Sequence, residues 1–253
     1  MKNCALQFSP TGGVKRVMDI LASELSIDGQ VDLSDPETDF SEVALDGDGV
    51  CLIGVPSFGG RVPGIAIERL RKTNGNGSAT AVVCVFGNRA YEDTLLELKT
   101  EAEAAGYKVV AAIAAVAEHS IMRQHAKNRP DEADELELRG YAKEIQRLAA
   151  DKDKAGDFTV PGNSPYKSYG GSSLKPKADE SCLSCGLCAE KCPVQAIPKD
   201  NPALTENEKC ISCMRCVAIC PNGSRKLDEQ TIIALTQATK KVFEGRKLNE
   251  MHS

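Results

Sequence analysis

The chain has 253 residues, of which 42% are apolar, and this length and composition allow one or two folded domains with a sizeable core. Its formal net charge of −5 argues against non-specific binding to nucleic acid. No run of 18 or more apolar residues occurs, so we expect neither a membrane-spanning helix nor membrane insertion.

Residues 1–150 alternate short apolar runs with amphipathic stretches, which is typical of a parallel α/β sheet. The apolar runs predict five strands, at 4–8, 30–33, 50–55, 79–86 and 108–116. Helical periodicity predicts helices at 14–25, 63–72, 91–105 and 131–150. Five strands joined by crossover helices predict a doubly wound sheet.

Residues 151–178 change character, because they contain four glycines, three prolines and four serines. This composition predicts a linker, which the aromatic side chains of Phe158, Tyr166 and Tyr169 are expected to hold against a surface. A cysteine-rich module follows at 179–226, and 227–253 is predicted to form a C-terminal helix from about residue 228. One face of that helix is apolar and is expected to be buried: Ile232, Leu235, Ala238, Val242 and Phe243.

Most of the 11 cysteines belong to two copies of one motif, C-x2-C-x2-C-x3-C-P, which end at Pro193 and Pro221. Bacterial ferredoxins hold [4Fe–4S] clusters with this spacing, and the fourth cysteine of each motif binds the cluster of the other motif. We therefore expect two clusters. The first is predicted to be bound by Cys182, Cys185, Cys188 and Cys220, and the second by Cys210, Cys213, Cys216 and Cys192.

Zinc and disulfides are the alternatives for these cysteines. Zinc sites usually take four ligands from paired C-x2-C knuckles, and disulfides are rare in reducing compartments. The first residues of the chain, Met-Lys-Asn-Cys-Ala-Leu-Gln-Phe, are too poor in apolar residues for a secretory signal. The spacing thus favours iron–sulfur clusters, and the expected location is the cytoplasm.

The first predicted strand ends in Ser-Pro-Thr-Gly-Gly-Val, residues 9–14, and runs straight into a helix. Such a turn can bind an anion, because backbone N–H groups and the positive end of the helix dipole point at it. It can also be an ordinary helix cap. Strands three and four end in 56–61 and 87–91, each with small residues and an aromatic. Ligands of doubly wound sheets bind at these strand ends, beside the switch point.

These loops resemble those of flavodoxins, whose FMN phosphate loop has the form [ST]-x-[ST]-G-x-[ST]. With the tandem cysteine motifs, the chain resembles the fused flavodoxin–ferredoxin proteins of anaerobic bacteria and archaea. The resemblance implies a flavodoxin-like FMN domain at 1–150 with strand order 2-1-3-4-5, followed by a small α+β two-cluster ferredoxin domain. It implies FMN binding by Ser9, Thr11, Gly12, Gly13, Val14, Pro56, Ser57, Phe58, Gly59, Gly60, Gly87, Asn88, Arg89 and Tyr91.

The chain departs from the flavodoxin pattern at Val14, where flavodoxins commonly have another hydroxyl. It also has no tryptophan, so ring stacking is left to Phe58 and Tyr91. Arg61 and Arg89 flank the expected crevice, either as residues that stabilise an anionic reduced flavin or as ordinary solvated arginines. His119 follows the fifth strand, either as a proton donor at the flavin edge or as a histidine bonded to backbone.

The remaining cysteines, Cys4, Cys51 and Cys84, fall in predicted strands and are interpreted as core residues. No catalytic residue is predicted. The function favoured is that of a cytoplasmic electron carrier, which passes electrons between FMN, two [4Fe–4S] clusters and redox partner proteins. One alternative is a flavin-dependent reductase acting on a small molecule. The other is a scaffold whose flavin-free first domain docks the ferredoxin on a partner.

Overall fold

A computed structural model describes residues 1–153 and 158–253. Five parallel strands form most of the main sheet, and they are β1 (Cys4–Gln7), β2 (Gly29–Asp32), β3 (Val50–Pro56), β4 (Ala79–Phe86) and β5 (Lys108–Val116). Their order is β2-β1-β3-β4-β5, which is the flavodoxin-like order of a doubly wound sheet. The predicted strands and their order are confirmed.

Four helices cover the two faces of this sheet: α1 (Gly13–Ala22), α2 (Gly64–Leu70), α3 (Thr94–Ala104) and α4 (Glu132–Ala150). One apolar core holds buried residues of α2 and α3, and the other holds those of α1 and α4. Every residue of β4 is buried, as expected for a central strand covered on both sides. The crossover helices are therefore confirmed, and a 3-10 turn at Phe40–Glu42 lies between β2 and β3.

The cysteine-rich module is small and has little regular structure. It contains the short helices α5 (Leu187–Glu190) and α6 (Arg215–Ala218). It also contains β7 (Arg225–Lys226), which pairs antiparallel with β6 (Lys177–Ala178) at the end of the predicted linker. Ile211 packs against the core on the α2–α3 face of the sheet. Arg215 donates hydrogen bonds to Ser34 and Asp32 in and just after β2. The module is thus docked on the sheet.

The predicted linker lies along the surface of the first domain. Phe158 packs against the core beneath Lys99, and the Tyr166 ring stacks under Arg61 at 5.0 Å. The Asp93 carboxylate accepts hydrogen bonds from the backbone N–H groups of Asn163 and Lys167, at 2.8 and 2.6 Å. The linker aromatics therefore hold this segment as expected. The part of the predicted linker at 154–157 lies outside the described residues.

The C-terminal segment differs from the prediction. Helix α7 (Glu229–Thr239) forms where expected, but none of its residues, all of which are described, is buried. Of the predicted apolar face, only Phe243 is buried, and Val242 is 52% exposed. The segment continues to β8 (Glu250–His252), which pairs antiparallel with β5 and makes a sixth strand. The C-terminal segment thus packs on the sheet through β8 and Phe243. The helix face that we expected to be buried does not take this role.

Within residues 1–153 and 158–253, no helix is both long and apolar enough to span a bilayer.

Candidate functional site

A crevice of about 190 Å³ opens at the carboxyl ends of β1, β3, β4 and β5. It lies where doubly wound sheets bind ligands. Most of the residues predicted to contact FMN line it: Ser9, Thr11, Gly13, Val14, Pro56, Ser57, Phe58, Gly59 and Gly87. One end of the crevice is thus formed by the loop before α1, and the other by Phe58 and small residues.

The loop before α1 has the geometry of an anion site. Gly12 has a φ of 88°, in the left-handed region that glycine adopts without strain. The Ser9 hydroxyl accepts a 2.8 Å hydrogen bond from the Lys15 N–H, and Gly12 O accepts one from Arg16 N–H at 3.0 Å. Within the described residues, no acceptor is bonded to the N–H groups of Gly13 and Val14. These free donors at the positive end of α1 fit a phosphate.

Several residues predicted to contact FMN have other partners. The Asn88 side chain donates to the carbonyl oxygens of Phe243 and Gly245, at 2.9 and 2.8 Å. Tyr91 is buried, and its hydroxyl donates to Glu250 at 2.6 Å. The C-terminal segment, which the sequence did not place here, is the partner in each case. Neither side chain lines the crevice.

The two arginines predicted to flank the crevice are held by carboxylates. Arg61 makes a two-pronged ion pair with Glu97, at 2.6 and 2.8 Å. Arg89 makes another with Glu92, whose side chain occupies the space beside Gly60. As a result, the described residues that line the crevice include no arginine or lysine.

His119 lines the crevice and is fixed in one tautomer. Its Nδ1 accepts hydrogen bonds from the N–H groups of Ile121 and Met122, both at 3.1 Å. Burial, together with the nearby His125 and Arg89, lowers the pKa of His119 to about 4. The imidazole is therefore neutral at pH 7, and its proton is on Nε2. In this state the Nε2–H can donate a hydrogen bond, but the ring has no acidic proton to transfer.

The far wall of the crevice comes from parts of the chain that sequence analysis did not connect with it. Tyr169 and Ser172 belong to the predicted linker, and the segment 211–213 belongs to the second cysteine motif. The Tyr169 ring lies so close to Gly59 that a Cβ there would sit 2.3 Å from it. Cys213, a predicted cluster ligand, therefore lines the same crevice as the anion loop.

Four of the predicted cluster ligands surround a second, smaller cavity. Cys182, Cys185, Cys188 and Cys220 all line it, and we call them the outer cysteine set. Cys185 is exposed, whereas Cys188 is buried. The Ser224 hydroxyl lies 3.2 Å from the Cys220 sulfur and, as the largest effect, lowers the pKa of that thiol to about 7.

The other four predicted ligands, Cys192, Cys210, Cys213 and Cys216, form the inner cysteine set. Burial raises the pKa of both Cys213 and Cys216 to about 12. Nearby thiols, among them Cys192 and Cys210, raise it further, and at Cys216 the charge of Arg225 opposes this rise. Cys192 accepts a hydrogen bond from the Ala196 N–H at 3.2 Å. The structure thus brings the fourth cysteine of each motif towards the first three of the other.

Within the described ranges, no group of three or more His, Cys, Asp or Glu side chains converges closely enough to hold a single metal ion. A [4Fe–4S] cluster has a different requirement, because each of its four irons binds its own thiolate. Its ligands surround a volume and do not meet at one point. The cavity within the outer cysteine set has this arrangement.

An arginine beside this cavity also fits a bound cluster. Arg225 lines the cavity and is 2% exposed. Its Nε is buried and has no hydrogen-bond partner among the described residues. A buried N–H donor without an acceptor is costly, and the sulfur of a cluster would supply one. Sequence analysis did not single out Arg225, because nothing local distinguishes it from a surface arginine.

The three strand cysteines lie away from both sets. Cys4, Cys51 and Cys84 are each 0% exposed. Burial raises the pKa of all three thiols, to about 11 for Cys4. Their interpretation as core residues is consistent with this packing.

Residues 181–225 match the family model of the 4Fe-4S dicluster domain. We call this segment the dicluster domain. The match contains all eight cysteines of the inner and outer sets. The match supports iron–sulfur cluster binding by the dicluster domain, as the motif spacing predicted.

Several solved structures are similar to the first part of the chain. A flavodoxin from the domain Archaea is 13% identical, with a TM-score of 0.43, and the match covers 59% of this chain and 99% of that one. A flavodoxin from Streptococcus pneumoniae TIGR4 is 19% identical, with a TM-score of 0.41 and coverages of 58% and 99%. Rubredoxin oxygen:oxidoreductase from Desulfovibrio gigas is 15% identical, with a TM-score of 0.43 and coverages of 60% and 37%. No curated protein matched the sequence.

The chain joins a flavodoxin-like sheet, defined by its strand order, to the dicluster domain. This combination matches a flavodoxin–ferredoxin fusion and supports a role in electron transfer.

Proposed function

We propose that this protein is an electron carrier that passes electrons between an FMN and two [4Fe–4S] clusters, and from there to redox partner proteins. FMN exchanges two electrons, together or singly, and each cluster exchanges one. In the proposal, the outer and inner cysteine sets each hold one cluster, and the crevice holds FMN. The cytoplasm remains the proposed location.

The position of Cys213 carries this proposal. It is a member of the inner cysteine set, and it lines the crevice together with Ser9 and Thr11 of the anion loop. A flavin held by that loop would lie beside the thiolate of an iron ligand. The chain would then bring both redox groups together without the movement of a tether.

The chain's own residues also support FMN in the crevice. The free N–H groups at the start of α1 suit its phosphate, and Phe58 and Tyr169 supply aromatic surface for its ring. Val14 provides a backbone N–H even though its side chain, 4% exposed, packs into the core. This arrangement favours a flavin-binding domain over the flavin-free scaffold.

Contacts between the two cysteine sets suggest the onward path. Cys216 of the inner set packs against the small apolar cluster that contains Cys188 of the outer set. Beyond it, Cys185 is exposed at the surface beside Leu183, which is 74% exposed. We propose that electrons pass from the crevice to the inner cluster, then to the outer cluster, and leave near Cys185.

Anaerobic purification followed by iron, sulfide and flavin analysis tests the cofactors. The expected result is about eight irons and one FMN per chain. Flash reduction of the flavin should then be followed by bleaching of cluster absorbance at a rate independent of protein concentration. A concentration-dependent rate would mean transfer between molecules, and iron far below that content, or zinc in its place, would contradict the proposal.

The reductase alternative has one observation in its favour, since His119 offers an N–H donor inside a partly covered crevice. Its neutral state at pH 7 weakens it as a proton source. Assays of small-molecule acceptors with the chemically reduced protein separate the two functions. A carrier should show no acceptor that turns over faster than protein partners do.

A further inference from the structure

Arg225 is a buried cation at the start of β7. Its Nη1 donates to the Thr205 hydroxyl at 2.6 Å, and its Nη2 donates to the carbonyl oxygens of Leu204, at 2.7 Å, and Pro202. A longer contact of 3.5 Å reaches Pro176 O. None of these acceptors is a carboxylate. The guanidinium is therefore held firmly while its charge is not neutralised by its hydrogen-bond partners in the described part of the chain.

A buried charge without a counter-ion is strongly unfavourable. Arg225 is 2% exposed, its Nε–H has no acceptor among described residues, and it lines the cavity of the outer cysteine set. Four thiolates and a [4Fe–4S] core together carry about two negative charges when oxidised and one more when reduced. A cluster in this cavity would therefore supply both the negative charge that Arg225 lacks and an acceptor for its Nε–H.

We propose that Arg225 is the counter-ion of the cluster in the outer cysteine set and donates its Nε–H to a sulfur of that cluster, raising its reduction potential. This inference rests on the cluster assignment of the proposed function. The step concerned is a one-electron reduction of the cluster by the inner cluster, with no proton moved. A fixed positive charge stabilises the extra negative charge of the reduced cluster.

A second arginine directly precedes Cys216 of the inner cysteine set in the sequence. Arg215 also has a buried Nε without a hydrogen-bond partner among the described residues. Its charge, however, is shared with the Asp32 carboxylate at 3.4 Å, and Ser34 accepts a further hydrogen bond. The charge of Arg215 is thus partly neutralised, whereas that of Arg225 meets no carboxylate among the described residues. The charge of Arg225 also reaches Cys216 of the inner set, so the potentials of both clusters have to be followed in the test.

The test is a redox titration of the anaerobic full-length protein, followed by EPR. The variant C185S identifies the signal of the outer cluster, because that signal is altered or lost. In R225Q the outer cluster should be harder to reduce, with the one-electron equilibrium between the clusters shifted about tenfold towards the inner one, or about 59 mV. R225K keeps the charge and should shift it less.

Lys226 provides a matched control. It is the next residue, its side chain is 63% exposed, and it pairs with Asp179. K226Q removes one charge at a solvent-screened position, so the outer potential should stay near that of the wild-type protein. An equal shift in R225Q and K226Q, or no shift in R225Q, would overturn the role of Arg225.

R225Q could fail to fold, since Arg225 holds three backbone carbonyl oxygens, those of Pro176, Pro202 and Leu204. The wild-type protein labelled with ¹⁵N-arginine then decides the question. Pulsed EPR of the reduced outer cluster should show a coupled guanidinium nitrogen, and its absence refutes the hydrogen bond. A protein that holds both clusters but lacks FMN would refute the proposed flavin transfer and leave this inference standing. A protein without iron would refute both the proposed function and the role of Arg225.

Discussion

The guanidinium of Arg69 donates a 2.7 Å hydrogen bond to the carbonyl oxygen of Pro193. Pro193 directly follows Cys192 of the inner cysteine set, and Arg69 lies in α2 of the sheet domain. The other Nη of Arg69 donates to Leu33 O at 2.6 Å, and the side chain is buried. One cation thus joins the end of β2 to the dicluster domain.

Replacement of Arg69 by Met should loosen this junction. Two buried carbonyl oxygens lose a donor, so the free energy of unfolding should fall by about 2–4 kcal/mol, and flavin-to-cluster transfer should slow. Arg71 is the control, because its side chain is 60% exposed in its ion pair with Glu101, and R71M should lower the free energy of unfolding far less than R69M. Denaturant unfolding and flash reduction measure the two effects. Equal effects of the two variants would mean that the junction is unimportant.

Replacement of Cys213 by Ser should remove or distort the cluster nearest the crevice. We expect iron to fall from about eight to about four per chain, FMN to stay bound, and rapid flavin-to-cluster transfer to disappear. The control is C84A, since Cys84 is buried in β4 away from both sets, and its iron content should match the wild-type protein. Transfer that persists in C213S at the wild-type rate would refute the path through the inner cluster.

The variant T11A should weaken the binding of FMN and leave that of riboflavin unchanged. Thr11 lines the anion end of the crevice, and a hydrogen bond to a charged group contributes about 1.5–3 kcal/mol, or roughly ten- to a hundredfold in affinity. Fluorescence titration of flavin-depleted protein measures both ligands. If T11A weakens both equally, the loop does not hold the phosphate.

His119 should remain neutral well below the ordinary pKa of histidine. Burial lowers the pKa of His119 from 6.5 to about 4, so between these values the unfolded chain binds a proton that the folded chain does not. Stability from this group is therefore complete above pH 6.5 and falls as the pH drops towards 4. ¹⁵N NMR of the imidazole should show the Nε2–H tautomer at pH 5.5.

The variants H119N and H119Q separate the two nitrogens of this ring. Asparagine places an amide oxygen near the position of Nδ1 and keeps the acceptor for Ile121 and Met122, whereas glutamine places an amide N–H near Nε2. We expect H119N to keep the melting temperature and bind flavin several-fold more weakly. We expect H119Q to melt at a lower temperature and keep its affinity for flavin. Loss of flavin affinity only in H119Q would make His119 a purely structural residue.

Much of the sheet domain is predictable because its signals are local. Apolar runs such as 79–86 and 108–116 are typical of strands covered on both faces, and the spacing of the cysteines alone indicates the clusters. Strand β8 is different. Glu250, Met251 and His252 have no strand pattern, and they become a strand only because the edge of β5 offers hydrogen bonds.

The parts of the site that sequence analysis missed depend on distant contacts. Asn88 and Tyr91 look like flavin contacts from their position after β4, but the C-terminal segment binds them. Cys213 reaches the crevice only because the dicluster domain docks on the sheet. Arg69 and Arg225 look like ordinary surface residues, and their roles follow from burial, which the local sequence does not indicate.

Strand β8 follows the dicluster domain in the sequence and completes the sheet that precedes it. In topological terms, the domain is an insertion between two neighbouring strands, β5 and β8, and both of its chain ends are anchored to the same scaffold. A domain attached by one flexible linker could move towards a partner, but this domain would first have to break the pairing of β8 with β5. In the proposed function, redox partners would therefore meet the clusters at their docked position, and fraying of that edge would loosen the proposed electron path as a whole.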